Sequence, residues 1–286
     1  MDTIIGLGSA GCNIADKFST YKQYDIYKID VGLDGLKKDG MYDMPWQCNV
    51  ERYEDKCPNM KNFFKNVKGE VLFVVSGAGD ISGTTLRALE CLKHCEINVL
   101  YIETDLELLR PTKTAQERSA YYILQEYARS GVFKSLYLVS NIVTEEHLGD
   151  VPLNEYHDRI NDMVVSTLHM LNVYNHIDSE SDTFSDIHET ARIATIGLLD
   201  FENENLKMFF SLDKIKETRY YYAINKEKVE TDGTLFKKIR QQVKDASKET
   251  KTSYGIFSTN YEEDYGYAVQ YSSSIQHREK EKLLFS

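Results

Sequence analysis

The sequence lacks any apolar run near the roughly 18 residues that cross a membrane, and no basic segment leads into a hydrophobic stretch at its start, so it reads as having no membrane insertion and no signal peptide. Positive charge is also in short supply. Lys and Arg number 34 against 45 Asp and Glu, a formal net charge of −11, which argues against nucleic acid as a partner. Cysteine is too sparse for a disulfide framework. Cys12, Cys48, Cys57, Cys91 and Cys95 include no CxxC pair and lie near no histidine cluster, so the expectation is free thiols, no metal site and a reducing, cytoplasmic setting. Internal repeats are missing as well. What remains is a globular composition, 42% hydrophobic and 12% aromatic over 286 residues. That excludes disorder and suits one large α/β domain or two modest ones.

The first half alternates strand and helix. Strand patterns at 3–7, 25–30, 70–75, 98–103 and 135–139 are interleaved with helical patterns at 12–18, 84–94 and 116–130, and 37–65 reads as loop with short helix. The run Glu70-Val71-Leu72-Phe73-Val74-Val75 is nearly continuous in apolar residues, as in a strand buried on both faces of a parallel sheet. Short crossovers between such strands imply a doubly wound sheet whose ligand sits at the carboxyl ends of the strands. The second half differs. A helix at 158–172 precedes a polar loop at 178–189, then a strand at 194–199, a short helix at 204–210 and a strand at 220–224. A helix at 235–246 is followed by strands at 253–259 and 265–271, which read as a hairpin joined by 260–264. The expected fold class is therefore α/β. It comprises a Rossmann-like parallel-sheet nucleotide-binding domain (1–155), a central helix (156–176) and a smaller α+β C-terminal domain (190–286).

Two glycine turns carry the chemistry. Gly6-Leu7-Gly8-Ser9-Ala10-Gly11 fits GxGxxG between strand and helix, where glycine lets the backbone approach a phosphate that the helix N-terminus favours. Asp30, 19 residues after Gly11, would meet ribose hydroxyls in a Rossmann-type NAD-dependent enzyme. The second turn, Ser76-Gly77-Ala78-Gly79-Asp80-Ile81-Ser82-Gly83-Thr84-Thr85, is no Walker A loop, because no Lys follows its last glycine. Two such turns on one sheet can hold a phosphate chain through backbone amides alone.

Gly6-Leu7-Gly8-Ser9-Ala10-Gly11-Cys12-Asn13 resembles the opening GxGGxGxN-type loop of the tubulin/FtsZ family, and residues 77–85 resemble its GxGGGTGTG loop. Asp80, Ile81 and Thr85 stand there in place of glycines. Leu138-Val139-Ser140-Asn141 resembles the family's strand-end IPN, Arg159-Ile160-Asn161-Asp162 the start of its central helix, and Leu198-Leu199-Asp200-Phe201-Glu202-Asn203 the NxDFAD loop. The resemblance implies a GTP/GDP site with Mg²⁺. It would be formed by Gly8, Ser9, Ala10, Gly11, Asn13, Gly77, Ala78, Gly79, Ser82, Gly83, Thr84 and Asn141, with Asn161 on the guanine edge and His157, beside Tyr156, stacking on the base. It also implies self-association into filaments, with Asp200 and Glu202 acting on the nucleotide of the next subunit. Leu198 and Asn203 replace an asparagine and an aspartate of the family loop, so hydrolysis is expected to be slow or lost. Asn141 reads equally well as a turn residue and Asn161 as an exposed helical one. The alternatives are a tubulin-fold scaffold that binds a protein partner without GTPase activity, or the NAD-dependent enzyme.

Overall fold

The structure, a computed structural model, describes residues 1–33, 39–201, 203, 205–248 and 250–278. The chain divides into two compact units, Met1–Val165 and Ser166–Ser286.

In the first unit six strands run parallel in the order β3-β2-β1-β4-β5-β6. They are β1 (Thr3–Leu7), β2 (Asp25–Asp30), β3 (Met41–Asp43), β4 (Glu70–Val75), β5 (Glu96–Glu103) and β6 (Ser135–Ser140). The helices are α1 (Gly8–Phe18), α2 (Val50–Asp55), α3 (Thr85–Cys91), α4 (Pro111–Arg129) and α5 (Asn141–Glu145), and α6 (Tyr156–Tyr174) runs on into the second unit. Burial explains the central strands. Val71, Leu72, Phe73 and Val74 are fully buried and every residue of β1 is buried, so neither strand needs polar alternation. The strand order reverses between β1 and β4, which pair from Thr3 with Val71 to Gly6 with Val74. Both glycine turns leave the carboxyl ends of these two neighbours, at the switch point where open α/β sheets bind ligands.

Within 37–65, of which residues 39–65 are described, the loop reading misses a strand. β3 adds in parallel to β2, and its three residues are too short to show a period. The short helix is α2, capped by the Asn49 side chain, which accepts from the Arg52 amide at 2.9 Å.

In the second unit the sheet order is β8-β12-β10-β11-β7, with β9 against β8. These strands are β7 (Ser181–Asp182), β8 (Ile193–Asp200), β9 (Asn205–Met208), β10 (Ile215–Asn225), β11 (Lys251–Thr259) and β12 (Tyr265–Ser272), with helices α7 (Lys226–Thr231) and α8 (Leu235–Ala246). Two expectations fail. β11 and β12 form no hairpin, because β10 lies between them, parallel to β11 and antiparallel to β12. Residues Tyr220 to Ile224 are buried on both faces, and such a strand takes the middle of a sheet. Residues 205–208 of the expected 204–210 helix form β9, an antiparallel partner of β8; residue 204 is outside the described residues. Leu206 and Met208, two apart, both pack on the cluster of Tyr222, Leu235, Ile239 and Ile256, a strand period rather than a helical one. The polar loop at 178–189 also holds β7, a two-residue edge strand on β11. Among the described residues no helix is long and apolar enough to cross a membrane.

Candidate functional site

The first turn needs its glycines for different reasons. Gly8 starts α1 with φ of 69°, a left-handed conformation that L side chains resist. A Cβ on Gly11 would lie 2.5 Å from the Val74 carbonyl oxygen, so glycine lets α1 sit tight on β4. Overpacking of this kind costs about 1–3 kcal/mol. Gly11→Ala should therefore lower the unfolding free energy by about that much, measured by urea titration. The N-terminal amides of α1 carry no capping side chain and its first turn has no acidic residue, which leaves the positive end of the helix dipole open to an anion. Ser9, Ala10 and Asn13 are exposed there. The Ser9 hydroxyl donates to Asp30 at 3.1 Å, and the other oxygen of Asp30 accepts from the Val31 amide at 2.9 Å.

In the second turn each replaced glycine has a structural partner. Ile81 packs its Cγ2 beneath Gly8, at 2.8 Å from where a Cβ on that glycine would sit, which braces one turn against the other. The Thr85 hydroxyl donates to the Ser82 carbonyl at 2.6 Å. Asp80 is paired with Lys113 of α4. Gln116, one turn further along α4, donates to the carbonyls of Gly77 (3.0 Å) and Gly79 (2.7 Å). The Ser82 hydroxyl turns inward to the Gly77 carbonyl at 3.1 Å, and fully buried Thr84 donates to the Ile81 carbonyl at 2.8 Å. Those two hydroxyls serve the turn. Gly77 and Gly83 are glycine because α4 with Tyr101, and Val50 of α2, stand where a Cβ would go. Gly79 is exposed, and an added Cβ would meet only Ile81, at 3.9 Å, so packing does not require its being glycine; close approach of a ligand would.

Beyond the turns, half-buried Asn141 opens α5 directly after β6. His157 and Asn161 are four apart on α6 and share a face. Neither asparagine amide hydrogen-bonds a described residue. Tyr156 is engaged: its hydroxyl donates to Glu145 at 2.5 Å, and its ring meets His157 edge-on at 5.1 Å. Burial and the Glu145 carboxylate push the Tyr156 phenol up to about 12. Lys17 bridges Asp158 (3.4 Å) and Asp162 (2.9 Å), which ties α1 to the start of α6.

No protein-family model and no curated protein matches the sequence. Solved structures do match. The chain superposes on an FtsZ dimer from M. jannaschii at TM-score 0.68 and 14% identity, covering 94% of this chain and 87% of that one. The figures for a GDP-form TubZ protofilament from Bacillus thuringiensis serovar israelensis are 0.70, 13%, 94% and 87%. For a GTPγS-bound CetZ2 protofilament from Haloferax volcanii they are 0.71, 13%, 99% and 96%. The chain has the tubulin/FtsZ fold. Identities this low establish the architecture alone.

On this tubulin-like scaffold the residues expected to be catalytic sit in the second unit. Asp200 ends β8, and its two oxygens accept from the Asn203 amide (3.0 Å) and side chain (2.8 Å). This closes the turn into β9. Glu202 lies outside the described residues. Among the described residues no group of three or more His, Cys, Asp or Glu is gathered to hold a metal.

Three features escaped the sequence reading. Lys113 and Gln116 are the first, and Pro111 signals them: proline at the first helical position starts α4 five residues earlier than the expected 116 and puts both side chains beside the second turn. A cavity of about 670 Å³ behind that turn is the second, walled by α2 and α4 together with Val75 and Leu86. It shares Asp80, Ser82 and Gly83 with the turn, but no residue of the first turn lines it. The third is a set of exposed apolar side chains on segments that follow β3, β5 and β6: Trp46 (71% exposed), Leu108 (83%), Ile142 (44%) and Leu153 (92%). Cys12, by contrast, is unavailable for chemistry. Burial, then Asp30, pushes its thiol up to about 12. Iodoacetamide at pH 8 should modify exposed Cys48 in the native protein and spare Cys12 until denaturant is added, read by peptide mass spectrometry.

Proposed function

We propose that the chain is a divergent tubulin-like cytoskeletal protein that binds GTP or GDP at the paired glycine turns, assembles with itself into filaments, and turns GTP over slowly or not at all. One observation carries the reading: two glycine turns leave adjacent strands at the reversal of strand order, with an uncapped helix N-terminus in the first and a packing-free glycine in the second. The backbone at Gly8, Ser9, Ala10 and Gly11 would hold phosphate oxygens, with Ala78 and Gly79 facing them from the second turn. Asn141 would fix the nucleotide, and Asn161 and His157 would read and stack on the base. The neighbours in GDP and GTPγS forms support guanine nucleotide, and their protofilaments support self-association. At the second turn Asp80 is paired with Lys113, so the turn itself offers Mg²⁺ little. Asp200 is engaged by Asn203, which supports weak or absent hydrolysis.

A second reading, a scaffold that binds nucleotide poorly and serves a protein partner, is favoured by the same closure of the second turn through Lys113 and Gln116. In an NAD-dependent enzyme Asp30 would have to share its oxygens between the ribose hydroxyls and Ser9 and the Val31 amide, from which they already accept. Titration of GTP and NAD side by side, followed by the fluorescence of Trp46, the single tryptophan, separates the three. Saturation by GTP alone supports the first reading, by neither ligand the scaffold, and by NAD alone the enzyme.

A further inference from the structure

α8 buries one face in the core through Leu235, Ile239 and Val243, and presents on the other a stripe that the fold does not use. Lys237, Arg240 and Lys244 stand at i, i+3 and i+7, all exposed, and none forms an ion pair with a described residue. Asp245, the only carboxylate on the helix, is taken by Lys248 (2.6 Å) and Gln241 (2.7 Å). Phe236, 44% exposed, lies under the Arg240 guanidinium at 5.5 Å. With Tyr254 as part of the floor, these side chains line a groove of about 710 Å³. Three cations with no ion pair among the described residues, flanking an apolar ring, are out of keeping with a chain of net charge −11.

The complementary surface is on the same unit. Between β11 and β12, Tyr261, Glu262 and Glu263 are exposed, and neither glutamate forms an ion pair with a described residue. The loop is held in place. Asp264 accepts from the Asn225 amide (2.9 Å) and pairs with Lys228 (2.8 Å), and the Tyr261 carbonyl accepts from the Asn225 side chain (2.6 Å). It thus presents two carboxylates beside a 48% exposed aromatic ring at little ordering cost.

We propose that the α8 groove is a docking site for the Tyr261-Glu262-Glu263 loop of a second copy of this chain, with the carboxylates on Lys237, Arg240 and Lys244 and Tyr261 against Phe236. Two different patches meet in such a contact, so it is heterologous and propagates instead of closing on itself. It draws on side chains remote in sequence from the glycine turns, and so stands whether or not nucleotide binds.

Charge exchange tests it. The nucleotide-free 286-residue chain is followed by sedimentation velocity across a salt series, with circular dichroism confirming that each variant is folded. The unaltered chain should associate at low salt and dissociate as the Debye length falls below about 10 Å near 0.1 M. Reversal of the groove (Lys237→Glu, Arg240→Glu, Lys244→Glu) and reversal of the loop (Glu262→Lys, Glu263→Lys) should each weaken association at least about tenfold, the size of effect that rim charge pairs control. A chain carrying both reversals should recover it, as should an equimolar mixture of the two single-patch variants. An unaltered chain that is monomeric at every salt concentration, or two reversals whose losses add without rescue, overturns the proposal. So does a groove that retains single-stranded oligonucleotide or anionic vesicles while loop reversal leaves self-association unchanged.

Discussion

Replacing Leu108 and Leu153 together by glutamate should abolish the proposed assembly into filaments while leaving the proposed GTP binding within about twofold. Both side chains are more than four-fifths exposed, at 83% and 92%, so the substitutions remove no core contact, and surface changes of this kind shift stability by only about 0.5 kcal/mol. Exposed leucines gain nothing from water. They gain about 1.5–3 kcal/mol each once a partner covers them. Losing both, and forcing two carboxylates into an apolar contact, removes at least about 3–6 kcal/mol, or roughly two to four decades in critical concentration. Pelleting and light scattering read the loss, and Trp46 gives an independent signal, because its emission should shift to the blue in the unaltered protein when a partner covers it. Assembly of the double variant at the normal critical concentration would exclude Leu108 and Leu153 from the proposed interface.

The ends of β1, β2 and β4 were legible to the residue, because apolar runs in β1 and β4 and alternation in β2 stop at turn residues and leave little choice of boundary. Short edge strands were not. β3, β7 and β9 have two to four residues each and exist because a neighbour offers an open edge, a fact of tertiary structure with no local pattern. The mistaken hairpin has the same origin. Nothing in residues 251–272 says that β10, from earlier in the chain, will slide between them. At the site, the positions of the glycine turns were legible and their division of labour was not. Gly77 and Gly83 make room for α4 and α2, and only Gly79 is left without a packing duty. Asp80, Ile81 and Thr85 stand where the family's loop has glycines. In three dimensions each has a partner, in Lys113, beneath Gly8, and in the Ser82 carbonyl.

The Asp80–Lys113 pair sets the sign of charge changes at the second turn. With Lys113 in place, Asp80 contributes little net charge at the second turn. Lys113→Ala leaves the carboxylate unpaired beside the proposed phosphate site, and repulsion over roughly 6 Å at an effective dielectric near 20 amounts to about 1–2 kcal/mol after solvent screening of these part-exposed groups. GTP affinity should fall about tenfold or more. Asp80→Gly has the opposite consequence: it frees the Lys113 ammonium to meet phosphate oxygens, and affinity should rise by a similar factor. The double variant should return near the starting value, since neither charge remains, and any departure from the sum of the two single effects measures the coupling of the pair. Calorimetric titration of GTP at two salt concentrations decides the matter, because both single effects must shrink as salt rises. Equal affinities in all four proteins would place the phosphates away from the second turn and leave the first turn as the only anion site.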